Sequence, residues 1–136
     1  MSSSGRGHFL RPRTYGAGTA VVLRLHRELD DAALLEAEDA VLDAISESAA
    51  SGLVIDLTAV DVIDSLIATK IMQIVRTAHC LGAEVALVGV QPGVAAVMVE
   101  LDLLLDEALV QPARTVEEGL VCLERVHERH RQPARF

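Results

Sequence analysis

Short runs of branched apolar residues alternate along this chain with longer stretches in which apolar residues recur at helical spacing. The runs are residues 20–25 (AVVLRL), 53–57 (LVIDL) and 84–90 (EVALVGV), and a helical stretch follows each of them. Such runs are typical of strands covered on both faces, and strand–helix alternation is typical of parallel sheets with right-handed crossovers. The sequence therefore predicts an α/β fold, with a mostly parallel mixed sheet of four or five strands and about four helices.

Residues suited to helix ends stand between the predicted strands. Aspartate, serine and threonine cap helix N-termini, proline fits the first helical turn, and glycine fits the left-handed position after a helix. The second helix is predicted over residues 65–81 and ends at Gly82. A short strand is predicted at residues 108–110. The predicted helix starts are Asp30 or Asp31, Ser65, Pro92 and Thr115, the last in a capping box with Glu118.

The 136 residues are enough for one domain with a substantial core. Residues 1–18 are rich in serine, glycine and arginine, and we expect them to form a flexible N-terminal arm, with a short edge strand as the alternative for its end. The folded domain is predicted over residues 19–127. The remaining residues, 128–136, are predicted to form a basic C-terminal tail.

The acidic residues concentrate in the predicted domain. Residues 14–123 hold 18 of the 20 acidic residues but only five of the 12 basic ones, a formal charge of −13. A surface of this sign repels nucleic-acid phosphates, and aromatic residues, at 2% of the chain, offer no stacking platform for single strands. The composition therefore predicts no nucleic-acid binding.

Signals for export and membrane insertion are lacking in the sequence. The first 19 residues contain no apolar signal-peptide core, and the longest uncharged stretch, residues 85–99, is interrupted by Gly89 and Pro92. Cys80 and Cys122 lie far apart in apolar segments, which predicts buried, reduced thiols. We therefore expect a cytoplasmic protein without membrane contact.

The turn between the second predicted strand and the second predicted helix carries the candidate functional residues. Asp56 ends the strand, and Asp61, Asp64 and Ser65 lead into the helix. In parallel sheets, functional sites lie at the carboxyl ends of strands, where loops meet helix N-termini. A serine there usually only caps the helix, but a phosphoryl group would also meet unpaired N–H groups and the positive helix end. Its charge of about −1.5 to −2 would make this acidic edge repel a partner.

The stretch from LVIDL through DVIDS to LGAEVALVGVQP and EEGL resembles the STAS domains of anti-sigma-factor antagonists and bacterial stressosomes, over residues 20–126. The resemblance is greatest to the single-domain, RsbS-type stressosome scaffold proteins. It implies the STAS fold and places the family's phosphoacceptor on Ser65. Asp61 and Asp64 would then shape the electrostatic surroundings of that serine, and Asp56 would hold the turn.

The resemblance also implies a mechanism and partners. Such scaffold proteins assemble with larger STAS paralogues that carry sensor domains, and they sequester a serine kinase until it phosphorylates the scaffold serine. A phosphatase then resets the serine. The short segment before the domain, and the absence of serine and threonine in residues 92–101, favour the scaffold over the sensor paralogue. The implied protein is a non-catalytic, oligomeric signalling component without a cofactor or metal.

Two alternatives keep phosphorylation in this turn. Within the STAS family, the chain would be a free anti-sigma-factor antagonist whose Ser65 is phosphorylated by an anti-sigma kinase. A receiver domain would instead use Asp56 as the phosphoacceptor. That chemistry needs an acidic pair and a late lysine, whereas Asp30 and Asp31 are placed as helix caps and Lys70 lies within a helix.

Enzymatic alternatives lack their motifs. Ser65 has no G-x-S-x-G sequence around it, and neither a P-loop nor a G-x-G-x-x-G motif is present. His127 and His130 are spaced to share a metal ion, but the sequence places no third ligand nearby. The sequence therefore favours a regulatory protein over a catalyst.

Overall fold

The computed structural model of the chain describes residues 3–5, 8–16, 18–102 and 110–131. The strands are β1 (Ser3–Gly5), β2 (His8–Tyr15), β3 (Gly18–Leu25), β4 (Gly52–Asp56), β5 (Glu84–Val88) and β6 (Gln111–Ala113). The helices are α1 (Asp31–Ser48), α2 (Ser65–Cys80), α3 (Pro92–Glu100) and α4 (Val116–Arg131).

The strands form one mixed sheet, in which their spatial order is their order along the chain. β2 runs antiparallel to β1 and β3, while β3, β4, β5 and β6 run parallel to one another. The predicted α/β fold with a mixed sheet and four helices is confirmed. Within the described residues, β2 to β6 account for the five strands of the prediction, and the three-residue β1 adds a sixth at the edge.

Helices cover both faces of the sheet. On one face, α1, α2 and α3 pack over alternate strand residues such as Leu23, Ile55 and Leu87. On the other face, α4 packs over the residues between them, including Val54 and Ala86. All five residues of β4 are therefore buried, as its apolar run predicts for a strand covered on both faces.

The predicted helix starts are confirmed. The carboxylate of Asp30 accepts a hydrogen bond from the Ala33 N–H at 2.7 Å and caps α1. The hydroxyl of Thr115 accepts one from the Glu118 N–H at 3.1 Å at the start of α4. These bonds satisfy N–H groups that have no acceptor inside the helix. The other two helices begin at Ser65 and Pro92.

Residues 8–15 of the predicted arm form β2, which is longer than the short edge strand considered for the end of the arm. Each residue of β2 is paired with one of β3, from His8 opposite Leu25 to Tyr15 opposite Gly18. β1 pairs with β2 only as far as Leu10, so β2 is the outer strand at Pro12 within the described residues, where a missing N–H is tolerated. The length of this strand was not predicted, because pairing with β3 orders a segment whose composition alone indicates disorder.

Two further expectations about the C-terminal part need correction or fall outside the described residues. α4 continues to Arg131, whereas a tail was predicted from residue 128. The prediction ended the helix too early because the apolar face of α4 ends at Val126, and the sequence gives no helical signal beyond it. The strand predicted at 108–110 falls mostly on residues outside the described ranges. The described strand in this region is β6, which follows it directly.

The prediction that both cysteines are buried was wrong for Cys80. Its side chain is exposed at the last residue of α2, while Cys122 is half-buried in α4. The buried face of α2 passes through Ile71, Val75 and Ala78, and Cys80 lies off that face. An apolar residue type near a helix end therefore does not by itself predict burial.

Replacing Tyr15 by phenylalanine is expected to lower the free energy of unfolding by about 1 kcal/mol at neutral pH, because the phenol shares a hydrogen bond with Ser51. The two hydroxyl oxygens are 2.7 Å apart. Burial raises the pKa of Tyr15 above its ordinary value, and Glu84 and Glu124 raise it further, although the bond to Ser51 lowers it. Urea unfolding of both proteins at neutral pH measures the difference.

The pH dependence gives this prediction its control. A tyrosine whose pKa is raised on folding stabilises the protein below the unfolded pKa of 10.0, and that contribution is lost as pH rises through the folded pKa. The wild-type advantage should therefore shrink above pH 10, about the ordinary tyrosine pKa. Equal stability of the two proteins at neutral pH would contradict the structural role of this bond.

Candidate functional site

The β4–α2 loop, residues 57–64, lies at the carboxyl end of the parallel strands. Three apolar side chains, those of Leu57, Val60 and Ile63, are buried and anchor the loop in the core. The residues between them face solvent, including Asp61 and Val62. This spacing of anchors gives the loop a fixed course and leaves its polar side chains on the surface.

Asp56 holds the start of this loop. One oxygen of its carboxylate accepts hydrogen bonds from the N–H of Thr58 at 2.9 Å and from the Thr58 hydroxyl at 2.6 Å. The other oxygen faces the Nε of Arg24 on β3, at 3.3 Å. Asp56 is only 4% exposed, so this carboxylate is engaged inside the fold. A receiver domain would need it open to a phosphodonor.

The loop is also tied to the segment that follows β5. The side-chain amide of Gln91 donates a hydrogen bond to the Thr58 carbonyl at 2.6 Å. Gly93 at the start of α3 lies so close that a Cβ there would come within 2.5 Å of the Asp61 carbonyl oxygen. The loop before α2 and the start of α3 are therefore packed together as one surface.

Ser65 is the first residue of α2 and is exposed. Asp64 is the N-cap, since its carboxylate accepts from the Ile67 N–H at 2.8 Å, so Ser65 is not needed as the cap. Within the described residues, the Ser65 hydroxyl forms no hydrogen bond, whereas its carbonyl accepts one from the Thr69 hydroxyl at 2.8 Å. The predicted acceptor is thus presented to solvent, one residue after the cap.

The charges around Ser65 are more balanced than the sequence suggests. Asp61 is exposed, and its carboxylate faces the guanidinium of Arg27 at 3.7 Å. Asp64 lies next to Ser65 and has no cation within ion-pair distance in the described part of the chain, although its hydrogen bond engages one oxygen. The structure therefore brings Asp61, Asp64 and Ser65 to one edge, while Asp56 lies beneath it.

Two exposed apolar side chains flank Ser65, and the sequence analysis missed both. Val62 is 73% exposed and Leu66 is 51% exposed, each within three residues of the serine. Helical spacing was the signal that could have identified Leu66. It does not lie on the helix face formed by the buried residues Ile67, Ala68 and Ile71. Exposed apolar side chains next to polar ones offer a contact to a protein partner.

No helix in the described ranges is long and apolar enough to cross a membrane. Nor do three histidine, cysteine, aspartate or glutamate side chains of the described residues come together as a metal-binding group. The side chain of His130, the second histidine of the spaced pair, falls outside what the structure describes.

A family model of the STAS domain matches residues 11–119. The chain belongs to the STAS domain family. No curated protein sequence matches it significantly. The family match spans the sheet from β2, the β4–α2 loop and the start of α4, so it includes every residue of the candidate site.

Three solved structures illustrate what this STAS domain is similar to. A variant of RsbS from Moorella thermoacetica is 26% identical, with a TM-score of 0.71 over 88% of this chain and 97% of that one. A chain of the stressosome is 27% identical, with a TM-score of 0.70 over 90% of this chain and 100% of that one. The anti-sigma factor antagonist SpoIIAA in its unphosphorylated form is 21% identical, with a TM-score of 0.64 over 88% and 96%.

Proposed function

We propose that this STAS protein is a non-catalytic, cytoplasmic component of a bacterial stressosome that sequesters a serine kinase and releases it when Ser65 is phosphorylated. The observation that carries the proposal is the exposed Ser65 at the first residue of α2, with Asp64 already serving as the cap. A kinase needs a hydroxyl that it can reach, and this one is not committed to holding the helix.

A change of local charge would release the kinase. A phosphoryl group on Ser65 would add about −1.5 to −2 charges beside Asp64 and between the exposed Val62 and Leu66. A partner packed on those apolar side chains would then have to desolvate a dianion, which weakens its binding. The loop is anchored by Leu57, Val60 and Ile63, so the switch does not require the domain to refold.

The stressosome reading is favoured over a free anti-sigma-factor antagonist. Two of the similar solved structures, an RsbS and a stressosome chain, are above 25% identity, while the likeness to SpoIIAA is lower and supports the fold alone. In the favoured reading, the partners are STAS paralogues with sensor domains, the kinase and a phosphatase. In the other reading, the chain binds an anti-sigma kinase as a monomer.

Capture of the proposed kinase by immobilised protein tests the switch. Wild type and Ser65→Ala are expected to retain the kinase equally, because alanine leaves the surface uncharged. Ser65→Asp should retain several-fold less, since one negative charge stands where the phosphate would lie. Val62→Ser should also lose capture, whereas Leu35→Ser, which removes a similarly exposed apolar side chain on α1, should not.

The same proteins separate the two readings by assembly size. Mixed with STAS paralogues, the wild type should form a large particle in light scattering if it is a scaffold and stay monomeric if it is an antagonist. Undiminished capture by both Ser65→Asp and protein phosphorylated at Ser65 would contradict release by charge. Equal losses of kinase capture for Val62→Ser and Leu35→Ser would contradict the proposed contact surface at Val62.

A further inference from the structure

A groove opens between α1 and β2, on the face of the sheet that carries α1. It has a volume of about 480 Å³. Five apolar residues line it, and Asp43 and Glu47 of α1 lie at its border. The apolar residues are Leu10, Pro12, Val21, Ala40 and Ala44. We call this the α1–β2 groove.

The helix that forms one wall of this groove is acidic along its length. α1 contains six acidic residues and neither lysine nor arginine. Four of the acids are exposed and lie on one side of the helix, because their spacings of three and four residues match the helical repeat. They are Glu36, Asp39, Asp43 and Glu47. Like charges four residues apart destabilise a helix, and so does an acid in its last turn, where Glu47 lies. A cation brought by another molecule would therefore stabilise α1.

The two acids at the groove have no cation of their own. Neither Asp43 nor Glu47 has a lysine, arginine or histidine within ion-pair distance among the described residues. Arg11 on β2 also lines the groove, but in the same described ranges it has no carboxylate at that distance either. Two carboxylates against one guanidinium leave the groove negative. It therefore fits an apolar surface that carries cations.

The outer side of α4 has this composition. Val121 is 46% exposed, and Arg125 and Arg129 are exposed one and two turns later on the same side of the helix. Neither arginine has a carboxylate within ion-pair distance in the part of the chain that the structure describes. Glu128 is also exposed here and offsets one of the two positive charges. This side of α4 therefore presents an apolar side chain followed by a net positive charge.

We propose that the α1–β2 groove of one copy of this protein binds the outer side of α4 of a second copy. Val121 would pack on the apolar lining of the groove, as in other complexes in which a helix occupies a groove. Arg125 and Arg129 would face its two carboxylates. A chain cannot make this contact with itself, because α1 and α4 cover opposite faces of its sheet. The two surfaces differ, so the contact is head-to-tail and links copies into rings or open chains.

The position of the groove keeps this contact away from the proposed switch. Glu47 and Ser48 line the groove, and the chain passes from them into the start of β4, so the groove lies towards the amino ends of the parallel strands. Ser65 lies at the opposite ends of these strands. Self-association would therefore leave the edge around Ser65 open, and it needs neither the kinase nor phosphorylation.

Sedimentation velocity of the purified protein alone tests the contact. The wild type should associate as its concentration rises at low salt, and less at high salt, because much of the attraction is electrostatic. Two charge-reversed proteins are compared with it: a groove variant, Asp43→Arg with Glu47→Arg, and a helix variant, Arg125→Glu with Arg129→Glu. Each alone should associate at least about tenfold more weakly, because like charges would then face each other across the contact.

An equimolar mixture of the groove variant and the helix variant should associate again. In the mixture, every acidic groove can meet a basic helix and every basic groove can meet an acidic one. Unfolding of either variant could not produce this recovery. Glu100→Arg on α3 and Arg76→Glu on α2 reverse exposed charges elsewhere, and these two controls should associate as the wild type does.

A wild type that stays monomeric at every concentration would overturn the proposal. So would a mixture that fails to associate, or control variants that lose association as strongly as the groove variant. Association only after a STAS paralogue is added, and its loss in the groove variant, would assign the groove to the paralogue instead of a second copy. The kinase is absent from these measurements, so their failure would leave the proposed release at Ser65 unaffected.

Discussion

Gly89→Ala is expected to lower the free energy of unfolding by about 3 kcal/mol, from backbone strain and overpacking together. Gly89 has a φ of +68°, a left-handed conformation that disfavours a Cβ. A Cβ there would also collide with the Thr58 hydroxyl and lie 3.1 Å from the Thr58 Cα. Thr58 has little freedom to move, because its hydroxyl donates to Asp56 and its carbonyl accepts from Gln91.

Gly82→Ala is the matched control. Gly82 also has a positive φ, +90°, but a Cβ there would meet no atom within 4 Å. Strain alone should cost about 1 kcal/mol at this position. Urea unfolding of the two variants and the wild type therefore separates the backbone conformation from the contact with Thr58. Equal losses for both variants would mean that the approach of Gly89 to the loop contributes nothing to stability.

The fold was largely predictable because its signals are local in sequence. Apolar runs mark the buried strands, helical spacing marks the helices, and capping residues such as Asp30 and Thr115 mark where helices begin. The full length of β2 was not predicted, because its signal is not local. Among its residues with described side chains, only Leu10 is buried, and the strand is ordered by pairing with β3.

The candidate site also has features with local sequence signals and features that depend on strand pairing. The position of Ser65 at a helix start follows from the strand, turn and helix pattern around it. The partner of Asp56 does not, because Arg24 is 32 residues away and meets it only through the parallel register of β3 and β4. Sequence reasoning therefore locates a site at a loop, whereas side chains gathered across a sheet require the fold.

Ser65→Ala is expected to abolish phosphate incorporation by the proposed kinase, because it removes the acceptor oxygen. In wild-type protein incubated with the kinase and ATP, peptide mass mapping should place the phosphate on the peptide that contains Ser65. The substitution should leave the fold intact: Asp64 remains the cap, and an exposed position of this kind usually changes stability by less than about 0.5 kcal/mol. Loss of phosphate would thus report the acceptor rather than unfolding.

Thr69→Ala is the control for this experiment, since Thr69 is the next exposed hydroxyl along α2. Its hydroxyl donates to the Ser65 carbonyl at 2.8 Å, as a helix-surface residue does, and its removal should leave incorporation unchanged. Phosphate found only on Thr69, or undiminished in Ser65→Ala, would move the acceptor away from the loop. The Gly89→Ala protein can be tested in the same experiment, because Gly89 lies against Thr58 of the loop. If Ser65 remains exposed in this variant but is phosphorylated more slowly, the kinase recognises the conformation of the loop as well as the Ser65 hydroxyl.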